Sequence, residues 1–176
     1  MRKRVLVGAR AVALILRSTL SMLIRRVLVP VDFSPRSRPA LEYASALAKL
    51  TNAAVDLLHV VPAPGALRIA TDVWLGREAP RPSELDVVQA REHLQQLVDS
   101  CDRAGIVPVL RVAAGDAAAT IVRLAAELPA DLIVIGTRSR HGLEELALGS
   151  VAQRVIACAS CPVVALGREL MQHVAA

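Results

Sequence analysis

Short apolar runs recur along this chain at intervals that only a helix-length segment fills, and that rhythm narrows the fold more than any single motif does. Residues 27–31 form a continuous apolar run closed by Asp32, and further runs follow at 55–61, 106–113, 131–136 and 162–166. Uninterrupted runs of this length, rich in β-branched residues, are the mark of strands covered on both faces. The segments between them carry helical period and helix punctuation. Ser34 and Pro35 predict an N-cap and a first-turn proline for a helix to about Leu50, with Ala40, Ala44, Leu47 and Ala48 on one face. Ser83 with Asp86 predicts a capping-box start, Val87, Ala90, Leu94, Leu97, Val98 and Cys101 the apolar stripe, and Gly105 the end. Asp116 predicts the cap of a helix to Leu128 that Pro129 closes, and a last helix spans about 150–159. Residues 62–82, with Pro62, Pro64, Gly65, Gly76, Pro80 and Pro82, read as a long irregular connection. Every crossover is long enough to keep successive strands parallel, so the order predicts an α/β fold: an open, doubly wound parallel sheet of five strands with helices on both faces.

The 176 residues fit one domain with one core. The formal charge of +5 suggests a polyanion binder until it is divided along the chain. Residues 1–26 hold seven cations and no acid, which leaves 14 cations against 16 acids in the rest. The body is therefore mildly acidic, and the basic character belongs to the N-terminal extension. With Phe33, Tyr43 and Trp74 as the whole aromatic complement, the chain also lacks the stacking platforms of a single-strand nucleic-acid binder. Arg10 and Arg17 interrupt the apolar N-terminal stretch, so it is too short to span a bilayer, although a basic amphipathic surface helix stays open. Met22 opens a segment that reads like a natural start. The expected organisation is a basic extension at 1–22, untranslated or disordered, a domain at 23–168 and a C-terminal tail at 169–176.

Cys101, Cys158 and Cys161 are too few, and odd in number, for a disulfide framework, and they fit a reducing, cytoplasmic compartment. Cys158 and Cys161 have C-x2-C spacing but follow a helix instead of opening one, where a redox pair would sit. No second pair exists to complete a zinc site. Both are expected to be semi-buried free thiols.

Open doubly wound sheets bind ligands just beyond the carboxyl ends of their strands, at the switch in strand order. Those ends read Asp32, then His59-Val60-Val61, then Ala114-Gly115-Asp116, then Gly136-Thr-Arg-Ser-Arg-His-Gly142, leading to Gly149-Ser150-Val151 at the next helix start. Glycines 136, 142 and 149 allow tight turns and close approach, and a helix N-terminus presents N–H groups at its positive end. With Arg138 and Arg140 in the same loop, the constellation is an anion site suited to phosphate. It is neither a P-loop, since the only lysines are Lys3 and Lys49, nor a dinucleotide fingerprint, since the first strand runs into Asp-Phe-Ser-Pro.

The loop, Gly136-x2-Ser139-x9-Gly149-Ser150, resembles the G-x2-G-x9-G-[ST] signature of the universal stress proteins. Val-Leu-Val-Pro-Val-Asp-Phe-Ser at 27–34, Leu-Leu-His-Val-Val at 57–61, Ala-Asp-Leu-Ile-Val-Ile-Gly-Thr at 130–137, Leu-Gly-Ser-Val-Ala-Gln-Arg-Val at 148–155 and Cys-Pro-Val-Val at 161–164 are similar to the same family in the same order. The resemblance implies a Rossmann-like sheet of order 3-2-1-4-5 and a homodimer paired through the last strand. In the nucleotide-binding branch it further implies ATP, with Mg2+, as a ligand at the strand ends. Pro30 and Asp32 would then line the nucleoside, the Asp32 carboxylate accepting from ribose or base, and the Val60 backbone would contact adenine. Gly136, Ser139 and Arg140 would wrap the phosphates, and Gly149, Ser150 and Val151 would donate N–H bonds. Ser139 departs from the signature's second glycine.

Plainer readings stand beside these. Ser150 serves equally as an N-cap, Asp32 as a cap for the helix after Ser34, and His59 as a packed core histidine. His141, Glu144 and Glu145 fit a solvated loop and a helix first turn. No nucleophile, relay or metal spacing describes an active site, and although Arg138 and Arg140 could stabilise a transferring phosphoryl group, nothing evident orients water. The expected role is nucleotide binding in a stress-response homodimer. A nucleotide-free interaction module and a slow ATP hydrolase or phosphotransferase are the alternatives.

Overall fold

The computed structural model describes residues 24–62, 83–100, 105–137 and 149–167. The expectations placed on 1–22, on most of the 62–82 connection, on Cys101, on 138–148 including Ser139 and Arg140, and on 169–176 lie outside these residues. The elements are β1 (Arg26–Val31), α1 (Ser37–Thr51), β2 (Ala54–Val61), α2 (Glu84–Asp99), β3 (Val109–Ala114), α3 (Ala117–Glu127), β4 (Leu132–Gly136), α4 (Ser150–Cys158) and β5 (Val163–Leu166). All pairings are parallel and the strand order is β3-β2-β1-β4-β5, as the alternation of runs and the family resemblance led us to expect.

Burial on both faces explains why the strands read as unbroken apolar runs. Val27, Val29, Val31, Val55, Leu57, Leu132 and Val134 pack on one face with Ala40, Leu41, Ala44 and Ala48 of α1 and Leu94 of α2. Leu28, Leu58, Ile133 and Ile135 pack on the other with Ala118, Ile121 and Ala125 of α3 and Ala152 and Val155 of α4. Alanines dominate the buried helix faces, which lets the helices approach the branched residues of the sheet closely.

Several boundaries differ from the sequence reading for local reasons. Helix α1 starts at Ser37, not at Ser34, because the Asp32 carboxylate accepts the Ser34 N–H at 3.0 Å and folds 32–34 into an Asx turn. Ser34 then supplies its carbonyl to the Ser37 N–H at 2.9 Å instead of capping with its side chain, and the N-cap position falls to Arg36. Helix α2 opens with the expected capping box of Ser83 and Asp86 but closes at Ser100, while Gly105, at φ 63, shapes the approach to β3. That strand starts only after Pro108, which has no N–H for the ladder. Asp116 caps α3 as expected, accepting the Ala119 N–H at 2.9 Å. Gly115 before it has φ 135, a region that strains any side chain.

The amino ends of the strands are tied by carboxylates. Asp131 accepts the N–H groups of Arg25 and Arg26 at 2.8 and 2.9 Å, pinning the start of β1 beside β4. Asp56 of β2 is buried and bridges Arg26 of β1 at 3.2 Å and Arg111 of β3 at 2.5 Å, a charge triad across three neighbouring strands. A buried carboxylate is tolerable only when paired, and here both partners are arginines with multiple donors. Asp56→Ala should leave two adjacent cations without a counter-charge. Because the arginine side chains are 37% and 32% exposed, water screens them, and the expected loss is about 2–3 kcal/mol, below the 3–5 range of a wholly buried pair. Urea unfolding would show it as a lower midpoint at unchanged slope.

Candidate functional site

Pro30 stands just beyond the point where the pairing of β1 with β4 ends. At Arg26 both backbone groups face β4, the N–H donating to the Asp131 carboxylate and the carbonyl accepting the Asp131 N–H. Every second residue shares that direction, so the nitrogen of Pro30 also points toward β4. The register of β1 with β4 covers Val27 and Leu28, whereas that with β2 continues to Val31 opposite His59. A proline that cannot donate thus stands in a central, buried strand at the point where one neighbour has ended its pairing. The switch in strand order falls between β1 and β4, the place where open sheets of this kind form a crevice.

The turn after β1 frames this crevice. Asp32 is exposed at the strand end, its Oδ1 accepting from the Ser34 N–H at 3.0 Å and the Ser37 hydroxyl at 3.2 Å, while its own N–H donates to Ser37 Oγ. These bonds orient the carboxylate at the strand end. Phe33 follows in the left-handed region at φ 58, costing on the order of 1 kcal/mol for a residue with a Cβ. Its ring lies 4.2 Å from the ring of His59 and meets His93 of α2 edge-on at 5.2 Å. The turn ends with Arg36 over β4. A Cβ on Gly136 would stand 2.9 Å from the Arg36 carbonyl oxygen and 3.2 Å from the Arg36 Cβ. Glycine is therefore needed here for the packing of this turn, a different reason from the close ligand approach that the sequence suggested.

Helix α4 returns from the carboxyl end of the sheet to the start of β5, so its N-terminus opens at the same end as the crevice. Gly149 occupies the N-cap and provides no side-chain cap, and Ser150 is the exposed first helical residue. The reading of Ser150 as the cap is thus corrected. By contrast, α2 and α3 are closed by the side chains of Ser83 and Asp116. Val151 is half-buried against the α3 side of the core, which fixes the first turn of α4. Arg154, one turn further, pairs with Asp116 at 2.9 Å and joins the helices. That bond, with the Ala119 N–H, holds the Asp116 carboxyl below its usual range.

Of the residues singled out from sequence, Pro30, Asp32, Val60, Gly136, Gly149, Ser150 and Val151 stand at the carboxyl end of the sheet. Ser139 and Arg140, with Arg138, His141, Glu144 and Glu145, lie outside the described residues. Val60, half-exposed, packs on the α3 and α4 side. His59 is half-buried with Nδ1 2.9 Å from the Val31 carbonyl. Burial pushes its imidazole below the usual range, His93 adds to that, and the Val31 bond and the Asp32 charge oppose it. Cys158 and Cys161 are free thiols, the first exposed and the second half-buried with its thiol pushed up by burial, opposite to what an activated pair needs. The sequence reading did not single out Arg36, His93 or Arg154. Only His93 carried a signal, a lone imidazole beside the apolar stripe of α2.

These features define a class: an open, doubly wound α/β protein with a crevice at the β1/β4 switch and an uncapped helix at the same end. Comparison narrows it. The model of the universal stress protein family matches residues 23–167. A universal stress protein of Methanocaldococcus jannaschii is 33% identical over 150 residues, covering 81% of each chain. A solved universal stress protein from Archaeoglobus fulgidus is similar with a TM-score of 0.63 at 28% identity, covering 80% of this chain and 97% of that one. A further structure from that organism, in complex with dAMP, has a TM-score of 0.60 at 26% identity, covering 82% and 98%. The chain belongs to the universal stress protein family.

Two outcomes follow from this geometry. Gly136→Ala should lower stability by about 1–3 kcal/mol, the usual range for overpacking, since a carbonyl oxygen must move to admit the methyl group. Thermal unfolding checks this. The unfolded imidazole takes its proton near pH 6.5 and folded His59 only at lower pH. The stability held by neutral His59 is therefore complete above about pH 6.5 and declines as the pH falls below it. His59→Gln, which cannot titrate, should flatten that part of a Tm against pH profile.

Proposed function

We propose that this chain binds an adenine nucleotide, ATP with Mg2+, as a regulatory ligand of a homodimer paired through β5 in the cytoplasm. The observation that carries the reading is the N-terminus of α4, left without a side-chain cap by Gly149 at the crevice end of the sheet. A helix start of this kind offers N–H donors and the positive end of a dipole to phosphate. The complex of a 26% identical family member with dAMP supports the same ligand class.

In this reading Pro30, Asp32 and Val60 hold the nucleoside, with the Asp32 carboxylate accepting from the ribose or base. Gly136, Ser139 and Arg140 wrap the phosphates, and the N–H groups of Gly149, Ser150 and Val151 bind them. Among the described residues no three His, Cys, Asp or Glu side chains gather as a metal site. Mg2+ in this reading is held by the phosphates and neutralises part of their charge. The nucleotide acts as a ligand that favours one state of the dimer. Strand β5 is the sheet edge on that side and carries Val163, Val164, Ala165 and Leu166, an apolar run suited to pairing with a second copy. No helix among the described residues is long and apolar enough to cross a membrane.

Gly149→Asp tests the reading cleanly. Aspartate is a good N-cap, so the variant should keep or raise its Tm, while its carboxylate closes the helix start and repels phosphate. Calorimetry with ATP and Mg2+ should give micromolar binding to the wild type and at least about a tenfold loss in the variant, at least 1.4 kcal/mol. No heat with wild type at millimolar ATP would overturn the proposal in favour of a nucleotide-free interaction module. Mg-dependent turnover above background would replace ligand by substrate.

A further inference from the structure

The turn that carries Asp32 is held from outside the site. Phe33, the chain's sole phenylalanine, sits in a left-handed conformation that a residue with a Cβ does not choose on its own, so other contacts must fix it. Two histidine rings supply them. His59 packs against Phe33 with ring centroids 4.2 Å apart and planes tilted by 30°, and is itself anchored by the 2.9 Å contact of Nδ1 with the Val31 carbonyl. His93 meets the ring edge-on at 5.2 Å from α2. His93 is exposed, but the next residue, Leu94, is fully buried and locks that turn of α2 to the core. Ring pairs at these separations have defined geometry as well as contact area.

The turn's two ends are the parts of the crevice that matter. One residue before Phe33 stands the Asp32 carboxylate, oriented by Ser34 and Ser37. Three residues after it the Arg36 carbonyl rests over Gly136, with no room for a Cβ between them. A shift of Phe33 would move both ends together, because the hydrogen bonds that Ser34 and Ser37 donate to the Asp32 carboxylate, with that of the Asp32 N–H to Ser37 Oγ, make the turn a stiff unit.

We infer that His93 and Phe33 are positioning residues: the His59–Phe33–His93 ring cluster clamps the 32–36 turn to α2 and thereby sets the Asp32 carboxylate for a nucleoside hydroxyl or base N–H. The ligand half of this inference rests on the nucleotide reading above; the clamp itself does not.

His93→Ala and His93→Phe, compared with the wild-type chain, test both halves by two readouts. Amide exchange at Ser34 and Ser37 in the ligand-free protein reports the clamp, and calorimetric affinity for AMP reports its consequence. Exchange at least about tenfold faster in His93→Ala than in wild type, together with weaker AMP binding, supports the inference if His93→Phe restores both. Restoration by a phenyl ring, which is somewhat larger but keeps an aromatic face and carries no nitrogen, separates ring contact from charge and hydrogen bonding. Unchanged exchange in His93→Ala overturns the clamp. Faster exchange with AMP affinity untouched overturns the positioning role and leaves His93 a structural contact. Faster exchange in a protein whose wild type binds no AMP refutes the nucleotide reading and the ligand role together.

Discussion

Strand β1 lies at the centre of the structure, and the unequal use of its two edges is what the rest depends on. Along β2 its pairing runs the whole length, from Arg26 opposite Ala54 to Val31 opposite His59. Along β4 the register covers Val27 and Leu28. The right-handed crossover rule sends α1 and α2 to one face and α3 and α4 to the other once the chain reverses its direction of travel across the sheet. The reversal occurs at β1. The two half-sheets then part at their carboxyl ends, and a crevice is the geometric result. Pro30 belongs to this constraint: a residue without an N–H fits a central strand only where no partner asks for one.

Polar anchoring is distributed unevenly along the strands. At their amino ends Asp131 and Asp56 tie β1, β2, β3 and β4 through charged hydrogen bonds, with Asp56 almost wholly buried. Such bonds are stronger than neutral ones and tolerate little movement. At the carboxyl ends the turn of 32–36 is held by an Asx turn, ring contacts and a glycine-sized gap. The firm end sets the register of the strands and leaves the other end to be shaped by short, specific contacts.

Strand and helix identity was legible because it rests on period and on caps that act within a few residues. The apolar runs at 27–31 and 55–61, the Ser83–Asp86 box and the Asp116 cap are local codes, and each element stands where its code lies. Ser34-Pro35 misled because two local codes competed: the Asp32 side chain reached the Ser34 N–H first and delayed the helix to Ser37. Ser150 misled similarly, since a glycine at the N-cap is accepted almost as readily as a serine. The site was legible only as strand ends. The contact of Arg36 with Gly136 joins residues a hundred positions apart, and the contact of Phe33 with His93 joins sixty, so neither has a spacing to read.

The departures from local preference gather at one end of the molecule. Phe33 takes a left-handed φ, Pro30 stands in a central strand, Gly149 leaves α4 without a side-chain cap, and Gly136 leaves only enough space for a hydrogen. Two of them are less stable than an available alternative, glycine at 33 and aspartate at 149. A chain selected for stability alone would spread such departures evenly or remove them. Their concentration at the carboxyl ends, where the sheet has opened, is what a fold shows when local consistency has been given up for a site. At the amino ends the strands are tied by paired charges, and the left-handed Asn52 there, at φ 60, is the C-cap of α1, where asparagine accepts that conformation, so it marks a helix end.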